Sequence, residues 1–293
     1  MEAVVVGRVG IDLYPNAIET PLREVRTYTR FVGGFAGNTA TGLARLGVRA
    51  AIVSRVGDDG HGEFVRSWLA TEGVDVRWLA TDPYWPTPPT FCEVWPPDRF
   101  PITFYRRPTA PDWQISLDDL DREEIASAPL LYATGTGLAQ SPSRETTLAL
   151  VEEHRGTTIF DLDWRPTLWE RQEEYPALAA RAAAAADVVV GNEEEVAAAR
   201  LGEVPVLVLK RGERGATVVE HGEETDVPGH PVEVVNGLGA GDAFAAALGH
   251  GLLRGLALVD AVRRATVAGA IVASRLACSE AMPRLEELEA ALV

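Results

Sequence analysis

The sequence predicts an α/β protein in which a mostly parallel central sheet is covered by helices on both faces and carries a small β lid. Two observations predict the body. Short runs rich in Val and Ile are apolar along their whole length, as strands buried on both faces are. Segments with the apolar spacing of helices lie between several of these runs. A third observation, a proline-rich stretch at 84–112 that breaks the alternation, predicts the lid.

The elements of the body can be assigned in chain order from these patterns. The predicted strands are 3–11, 50–56, 130–135, 157–163, 186–192, 204–210 and 216–222. The predicted helices include 37–46, 60–72, 143–155 and 175–185. One more strand, PVEVV at 231–235, is predicted just before a glycine-rich segment. Ligands of such sheets lie beyond the carboxyl ends of the strands, so the functional site is expected there.

The lid is predicted from two separate segments. Within 84–112, FCEVW and ITFYR alternate apolar and polar residues as exposed strands do. The stretch 14–32 is similarly polar and extended. Together they predict a small antiparallel flap over the ligand site, and the alternative is an irregular surface insertion. Residues 1–293 are otherwise expected to form a single domain.

Composition limits the possible partners and location. The formal net charge of −16 argues against nucleic-acid binding, which requires basic surface, but a local site for a small anion remains compatible with it. Apolar runs are far shorter than the ~20 residues that span a bilayer, so no membrane contact is expected. Cys92 and Cys278 lack the spacing of a zinc site or a disulfide framework. The first residues read as a strand and not as a signal peptide. Because the two cysteines form no disulfide framework, a cytoplasmic protein is expected.

The segment NGLGAGD at 236–242 is the first candidate site. It precedes an apolar helical pattern, so its backbone N–H groups would lie at a helix N-terminus, where an anion is favoured. Gly237, Gly239 and Gly241 allow the backbone to approach a ligand closely. Asp242 could then act as a general base toward an attacking hydroxyl. The alternative is that Asp242 is an ordinary first-turn acid beside a glycine turn.

A second glycine cluster, FVGGFAGNTATGLARLG, supports a binding site. Gly33 and Gly34 precede Asn38, whose amide could donate to and accept from a polyol. Asp12 supplies a carboxylate able to bind two hydroxyls. The sequence contains no GxxxxGK[ST] segment, which excludes a P-loop, and no GxGxxG after the first strand, which disfavours a dinucleotide-binding dehydrogenase.

Four segments in this order, GGFAGNTATGLARLG, VSRVGDDGHGEFV, GNEEEV and NGLGAGDAFAAAL, resemble the ribokinase-like (PfkB) carbohydrate kinases. The resemblance covers nearly the whole chain. It implies a ribokinase-like three-layer sandwich with a β lid, and ATP-dependent phosphorylation of a sugar hydroxyl with Mg²⁺.

The resemblance also implies roles for individual residues. Asp242 matches the catalytic base of the family, and its anion hole matches Gly239, Ala240 and Gly241. The positions that match sugar-binding residues are Asp12, Gly33, Gly34 and Asn38.

Nucleotide-binding positions carry over in the same way. Asn192 and Glu195 match an Asn-x-x-Glu motif that organises the magnesium nucleotide, with Glu195 acting on the metal indirectly. A plain capping box is the compatible alternative. Lys210, Arg211 and Gly212 lie where the family lines the nucleotide phosphates, and a solvated Lys-Arg pair is the alternative.

Position 236 departs from the pattern. The family usually has an aspartate there, which commonly helps to bind an activating potassium ion. Asn236 offers a neutral amide oxygen, which is a poorer ligand, so activation by a monovalent cation is in doubt.

Further stretches narrow the substrate. PTPPTFCEVWPPDRFPITFYRRPTAPD, FDLDWRPTLW and AIVASRLACSEAMP look like those of the 5-dehydro-2-deoxygluconokinases of inositol catabolism, which phosphorylate the 6-hydroxyl of 2-deoxy-5-keto-gluconate. The carboxylate of this sugar acid calls for a guanidinium group. The candidates are Arg106 and Arg107 beside Tyr105, and Arg165, which Asp161 and Asp163 could orient.

Alternatives to this function remain. The nearest alternative function is that of a 2-keto-3-deoxygluconate kinase or another PfkB sugar kinase. A further alternative, from a different class of protein, is a sugar-binding regulator without turnover. The intact Gly-Ala-Gly-Asp segment argues against a regulator, which has no use for a base. The expected partners are therefore an acid sugar and ATP, and a homodimer through the lid strands is plausible in this family.

Overall fold

The computed structural model describes residues 1–292 and, within them, thirteen strands and nine α-helices. The strands are β1 (Ala3–Val6), β2 (Gly10–Pro15), β3 (Tyr28–Gly33), β4 (Ala50–Gly57), β5 (Asp75–Asp82), β6 (Pro89–Cys92), β7 (Ile102–Phe104), β8 (Leu130–Thr134), β9 (Thr157–Asp161), β10 (Val188–Asn192), β11 (Val206–Lys210), β12 (Ala216–Glu220) and β13 (Glu223–Val227). The helices are α1 (Phe35–Arg45), α2 (Gly60–Thr71), α3 (Arg122–Ala126), α4 (Ser143–Glu153), α5 (Tyr175–Ala184), α6 (Glu193–Ala199), α7 (Ala240–Leu253), α8 (Leu258–Ala273) and α9 (Leu285–Ala291). None of these helices is long and apolar enough to cross a membrane.

Nine strands form the main sheet, in the order β13-β12-β11-β10-β9-β8-β1-β4-β5. The strands from β11 to β5 run parallel, and β12 and β13 are antiparallel additions at one edge. The strand order reverses between β1 and β8, because β1 continues toward β4 while β8 continues toward β9. Such a switch point opens a crevice at the carboxyl ends of the strands, where ligands of open α/β sheets bind.

Helices cover both faces of this sheet. Successive residues of a strand point to opposite faces, and in β1 Ala3 and Val5 pack into one apolar core while Val4 and Val6 pack into the other. The first core includes apolar side chains of α1, α2, α7 and α8, and the second those of α3, α4 and α5. The predicted α/β class with a three-layer arrangement is therefore confirmed.

A second, four-stranded sheet has the order β3-β2-β6-β7. Two of its three pairings are antiparallel, and the central β2–β6 pairing is parallel. Its strands come from the two segments predicted to form the lid, except that β2 begins earlier, at Gly10. Residues 105–112 return from β7 to the body, where Trp113 Nε1 donates a hydrogen bond to the carbonyl oxygen of Thr136.

Two strand predictions were wrong. The run 3–11 is not one strand, since the chain leaves the main sheet after Val6, turns at Gly7 (φ 145°) and enters the second sheet at Gly10. The segment 231–235 is not a strand either. The N–H group of Val235 donates to the carbonyl oxygen of Ala273 at the end of α8, so it pairs with a helix end and not with a sheet neighbour.

Candidate active site

Four strands of the main sheet end around one crevice. Arg8 follows β1, Asp161 ends β9, Asn192 ends β10 and Lys210 ends β11. Because parallel strands share one carboxyl edge, residues that are more than 200 positions apart in sequence come together here. The N-terminus of α7 faces the same side, since Lys210 Nζ lies only 3.7 Å from the point where Gly241 would carry a Cβ atom.

The segment before α7 is shaped by close contacts of its backbone. Gly239 is the N-cap residue of α7 with φ 81°, a left-handed conformation that favours glycine. A Cβ atom at this position would lie 2.8 Å from the Sγ atom of Cys278. The first N–H groups of a helix have no intrahelical acceptor, so those of α7 form an electropositive cradle for an anion.

Asp242 lies in the first turn of α7 and its carboxylate meets α1. Asn38 Nδ2 donates a 2.7 Å hydrogen bond to Asp242 Oδ2. Burial raises the pKa of Asp242 to about 7, while the Asn38 hydrogen bond opposes the rise and the Asp163 carboxylate adds to it. No ion pair involves Asp242 within residues 1–292. The group is thus a partly buried carboxyl with a pKa near neutral pH, as a group that exchanges a proton there requires.

Asp12 lies on β2 opposite Phe31 of β3, and its carboxylate reaches over Gly33. A Cβ atom at Gly33 would lie 2.1 Å from Asp12 Oδ1, so the carboxylate occupies the space that a side chain would fill. Burial raises the pKa of Asp12 to about 6, and Arg8 and Arg106 oppose the rise. Gly34, with φ 88°, then serves as the N-cap residue of α1, the helix that carries Asn38. Asp12, Gly33, Gly34 and Asn38 are therefore close neighbours.

Charged side chains alternate in sign across the crevice. Arg8 Nη2 lies 2.8 Å from Asp163 Oδ2, and Arg165 Nη2 lies 3.1 Å from Asp163 Oδ1. Burial alone would raise the pKa of Asp163, but the two arginines outweigh it and lower that pKa to about 2. Asp161 pairs instead with Lys210 at 2.9 Å, so only Asp163 of the two aspartates contacts Arg165.

Asn192 and Glu195 form a reciprocal capping box. Asn192 Oδ1 accepts from the Glu195 N–H group, and Glu195 Oε2 accepts from the Asn192 N–H group, both at 2.8 Å. Glu195 also lies 3.4 Å from Arg165 and 3.8 Å from Lys210. The carboxylate is therefore fixed by the backbone and by two cations.

Lys210 is the only lysine in the sequence, which otherwise uses arginine for its basic residues. Burial works against its ammonium charge, but Asp161 and Glu195 outweigh this effect and raise its pKa. Arg211 is 3.4 Å from Asp226 on β13, and Gly212 follows with φ 59°. Of these three predicted nucleotide-binding residues, Lys210 is the one that lies beside the α7 cradle.

The lid arginines differ in environment. Arg106 is buried and binds Asp112 through two hydrogen bonds of 2.5 and 2.7 Å, and Asp112 also accepts from the Val9 N–H group. Arg107 is exposed, and with Arg106 it lines a cavity of about 770 Å³. Tyr105 is 60% exposed, with its ring 5.4 Å from that of Phe91.

Sequence reasoning missed Arg8. This arginine is buried, binds Asp163 and, through Nε, Thr136 at 2.9 Å, and it lies near both Asp12 and Asp242. An arginine in the middle of an otherwise apolar run, VVVGRVG, is the signal that could have identified it. The status of Lys210 as the sole lysine is a second signal of this kind.

A partly buried carboxyl group, a helix N-terminus and a lysine in one crevice are typical of one class of protein, the phosphotransferases that act on an alcohol. Comparison with known proteins agrees. The model of the pfkB family of carbohydrate kinases matches residues 1–285. Over 312 aligned residues the chain is 34% identical to a 5-dehydro-2-deoxygluconokinase of Clostridium tetani (strain Massachusetts / E88), covering 99% of this chain and 92% of that protein.

Solved structures share the fold. An uncharacterized sugar kinase of Pyrococcus horikoshii in complex with ATP has a TM-score of 0.88 and 27% identity, covering 97% of this chain and 96% of its own. A double mutant of the fructokinase of Vibrio cholerae O395, in a form with fructose, ADP and potassium ion bound, has a TM-score of 0.88 and 28% identity, covering 100% and 99%. The chain belongs to the pfkB family of carbohydrate kinases and is an ATP-dependent sugar kinase with a ribokinase-like fold.

Proposed function

We propose that this kinase transfers the γ-phosphoryl group of ATP to the 6-hydroxyl of 2-deoxy-5-keto-D-gluconate, a step of myo-inositol catabolism. The full-length similarity to a 5-dehydro-2-deoxygluconokinase supports this substrate. The basic side chains between the lid and the body support a substrate that is an acid. A 2-keto-3-deoxygluconate kinase is the less favoured alternative.

In the proposed reaction Asp242 accepts the proton of the sugar hydroxyl. The hydroxyl oxygen then forms a bond to the γ-phosphorus of ATP, the bond from that phosphorus to the bridging oxygen breaks, and ADP leaves. Asn38 holds the Asp242 carboxylate in place through its 2.7 Å hydrogen bond. Asp12 binds sugar hydroxyls, and the N–H groups at Gly239–Gly241 stabilise charge on the transferred group.

Lys210 and the capping-box residues are proposed to bind the nucleotide. The ammonium group of Lys210 lies beside Gly241, where it meets phosphate oxygens. Within residues 1–292 no cluster of three or more His, Cys, Asp or Glu side chains could by itself hold a metal ion. Asn192 and Glu195 would therefore act on Mg²⁺ only through the water molecules that it keeps when it arrives with ATP, because both side chains already accept backbone N–H groups. Its contribution is to neutralise charge on the phosphate oxygens.

The observation that carries the proposal is the position of Asp242. Its carboxylate is partly buried at the mouth of α7, accepts a hydrogen bond from the neutral amide of Asn38 and has a pKa near neutrality. A carboxylate placed there only to stabilise the helix would repel a bound anion and would gain nothing from burial.

The carboxylate of the substrate is proposed to meet the lid arginines. Arg106 is near enough to Asp12 to oppose the rise in the pKa of that residue, and Arg107 lines the same cavity as Arg106. Arg165 is the other candidate, since it lies next to Asp163 and Glu195 in the crevice.

A kinase assay over a panel of sugars tests the substrate. With 2-deoxy-5-keto-gluconate, 2-keto-3-deoxygluconate, fructose, ribose and adenosine, the highest kcat/KM is expected for the first compound. A higher value for 2-keto-3-deoxygluconate would assign the chain to the alternative, and a preference for a neutral sugar would reject the acid-sugar proposal.

Replacement of Arg107 tests the carboxylate contact. Arg107→Ala is expected to raise the KM for acid sugars about tenfold, the equivalent of one charged hydrogen bond, and to leave the KM for fructose unchanged. Arg106→Ala is a weaker test, because it leaves the buried Asp112 carboxylate without its ion-pair partner and would also lower the stability of the protein. Arg99→Ala, at an exposed arginine of the same lid hairpin, is the matched control. Equal effects of Arg107→Ala on acid and neutral sugars would refute the contact.

A further inference from the structure

Asn236 makes an unusual set of contacts just before the cradle. Its side chain is fully buried, with an exposure of 0%. Nδ2 donates a 2.6 Å hydrogen bond to the carbonyl oxygen of Leu276, and Oδ1 accepts one of 3.1 Å from the Leu238 N–H group. The orientation of the amide is fixed by these partners, because a flipped amide would set donor against donor and acceptor against acceptor.

These contacts tie the cradle to the segment that follows α8. The N–H groups of Val235 and Asn236 both donate to the carbonyl oxygen of Ala273, the last residue of α8. Two residues beyond Leu276, Cys278 packs against Gly239, the N-cap residue of α7. Asn236 therefore connects the two segments that shape the α7 N-terminus.

A monovalent cation at this position does not fit the residues present. A cation needs oxygen ligands, but the oxygens here already accept hydrogen bonds. The Leu276 oxygen accepts one from Asn236 Nδ2, and Asn236 Oδ1 accepts one from the Leu238 N–H group. The Ala273 oxygen accepts two, from the N–H groups of Val235 and Asn236. The N–H groups of Nδ2 carry the partial positive charge that a bound cation would supply. They would also repel such a cation at short range.

We propose that Asn236 is a positioning residue for phosphoryl transfer, whose amide holds the cradle in place of a monovalent cation, so that turnover does not depend on K⁺ or Na⁺. This inference rests on the proposed role of Gly239–Gly241 as the cradle for the transferred group. It also predicts the consequence of restoring a charge. In Asn236→Asp a carboxylate faces the Leu276 oxygen without a donor between them, and a cation is then needed to bridge the two.

The test compares kinetics in potassium chloride and in tetramethylammonium chloride at equal ionic strength. Wild-type kcat and KM are expected to change by less than about twofold between the salts. Asn236→Asp is expected to lose on the order of tenfold in kcat/KM for ATP in tetramethylammonium and to recover it in potassium. The KM for the sugar should change little. Asn16→Asp makes the same chemical change at an exposed site and is expected to show no response to the cation.

Two results would overturn the proposal: a wild-type enzyme that loses tenfold or more without potassium, or an Asn236→Asp enzyme that is equally active in both salts. The comparison of the wild-type enzyme in the two salts tests the proposal even if the variant does not fold. Calorimetric titration with ADP in the two salts gives the same comparison without a sugar. A wrong assignment of the sugar substrate therefore leaves this test intact.

Discussion

Individual side chains here acquire their properties from partners far away in sequence. Asp242 is an ordinary aspartate in the sequence, but burial and the nearby Asp163 raise its pKa while Asn38, 204 residues away, opposes the rise. Asp163 is more deeply buried and yet has a lowered pKa, because Arg8 and Arg165 flank it. Two carboxylates of one crevice thus differ in pKa by several units, as expected if Asp242 accepts a proton while Asp163 stays charged and orients the two arginines.

The pKa of Asp242 predicts the pH dependence. A general base acts when unprotonated, so kcat/KM is expected to rise as the pH increases through about 7 and to level off above it. Asn38→Ala removes a hydrogen bond that lowers the pKa, so the midpoint should move to higher pH. The measurement is kcat/KM between pH 5 and 9, roughly the range in which such a group titrates. Asn16→Ala is the control, and a midpoint that stays in place in Asn38→Ala would contradict the role of Asn38.

Which site residues could be found from the sequence depended on their local signal. Glycine motifs marked both Asn38 and Asp242, which share a hydrogen bond, and Gly33, beside which the Asp12 carboxylate lies. Arg8 has no motif of its own, and its role follows only from the position of β1 next to β8. The ion pair between Arg106 and Asp112 could not be predicted either, since it depends on the path by which residues 105–112 return to the body.

At the scale of elements, buried strands and amphipathic helices were predictable and edges were not. Central strands such as β8 and β9 are continuous apolar runs, because helices cover both of their faces. β5 and β13 were missed, and both are edge strands of the main sheet with polar sequences such as EETDV. The run 231–235 has strand-like alternation but no adjacent strand, so its pattern was misleading.

Asn192 caps α6 and is also proposed to help bind MgATP, and substitution can separate these two roles. Asn192→Ser keeps an oxygen that caps the helix but loses the amide. It is expected to preserve the midpoint of thermal unfolding while raising the KM for MgATP about tenfold, the equivalent of one hydrogen bond. The measurements are thermal unfolding and ATP saturation kinetics.

The control for this experiment is Asn192→Ala, which loses the cap as well and should lower the free energy of unfolding by about 1 kcal/mol. An Asn192→Ser enzyme with wild-type affinity for MgATP would show that Asn192 only caps α6.

At the scale of the whole molecule, the second sheet packs against the segments that form the cradle at the N-terminus of α7. Phe100, in the β6–β7 connection, lies against Gly237, where a Cβ atom would be 3.0 Å from its ring. Tyr14 on β2 is 2.7 Å from Cys278 through its hydroxyl, and Cys92 packs into the same cluster. This packing supports the proposal that the second sheet acts as a lid, because a movement of the sheet would displace the residues that contact the α7 N-terminus.

The outer strands of this sheet, β3 and β7, have one unpaired edge each within the described chain. Open edges can pair with another chain. A homodimer through the lid strands therefore stays a prediction, which light scattering of the purified protein can test.

The central claim is that a base at position 242 takes the hydroxyl proton while the helix N-terminus holds the phosphoryl group. Sugar-dependent ADP formation by Asp242→Asn tests it most directly. General-base catalysis contributes about 10²- to 10⁴-fold, so kcat is expected to fall by at least this factor while calorimetry still detects ATP binding. Asp260→Asn, at an exposed aspartate of α8, is the matched control. Turnover of Asp242→Asn close to that of the wild type would contradict the account.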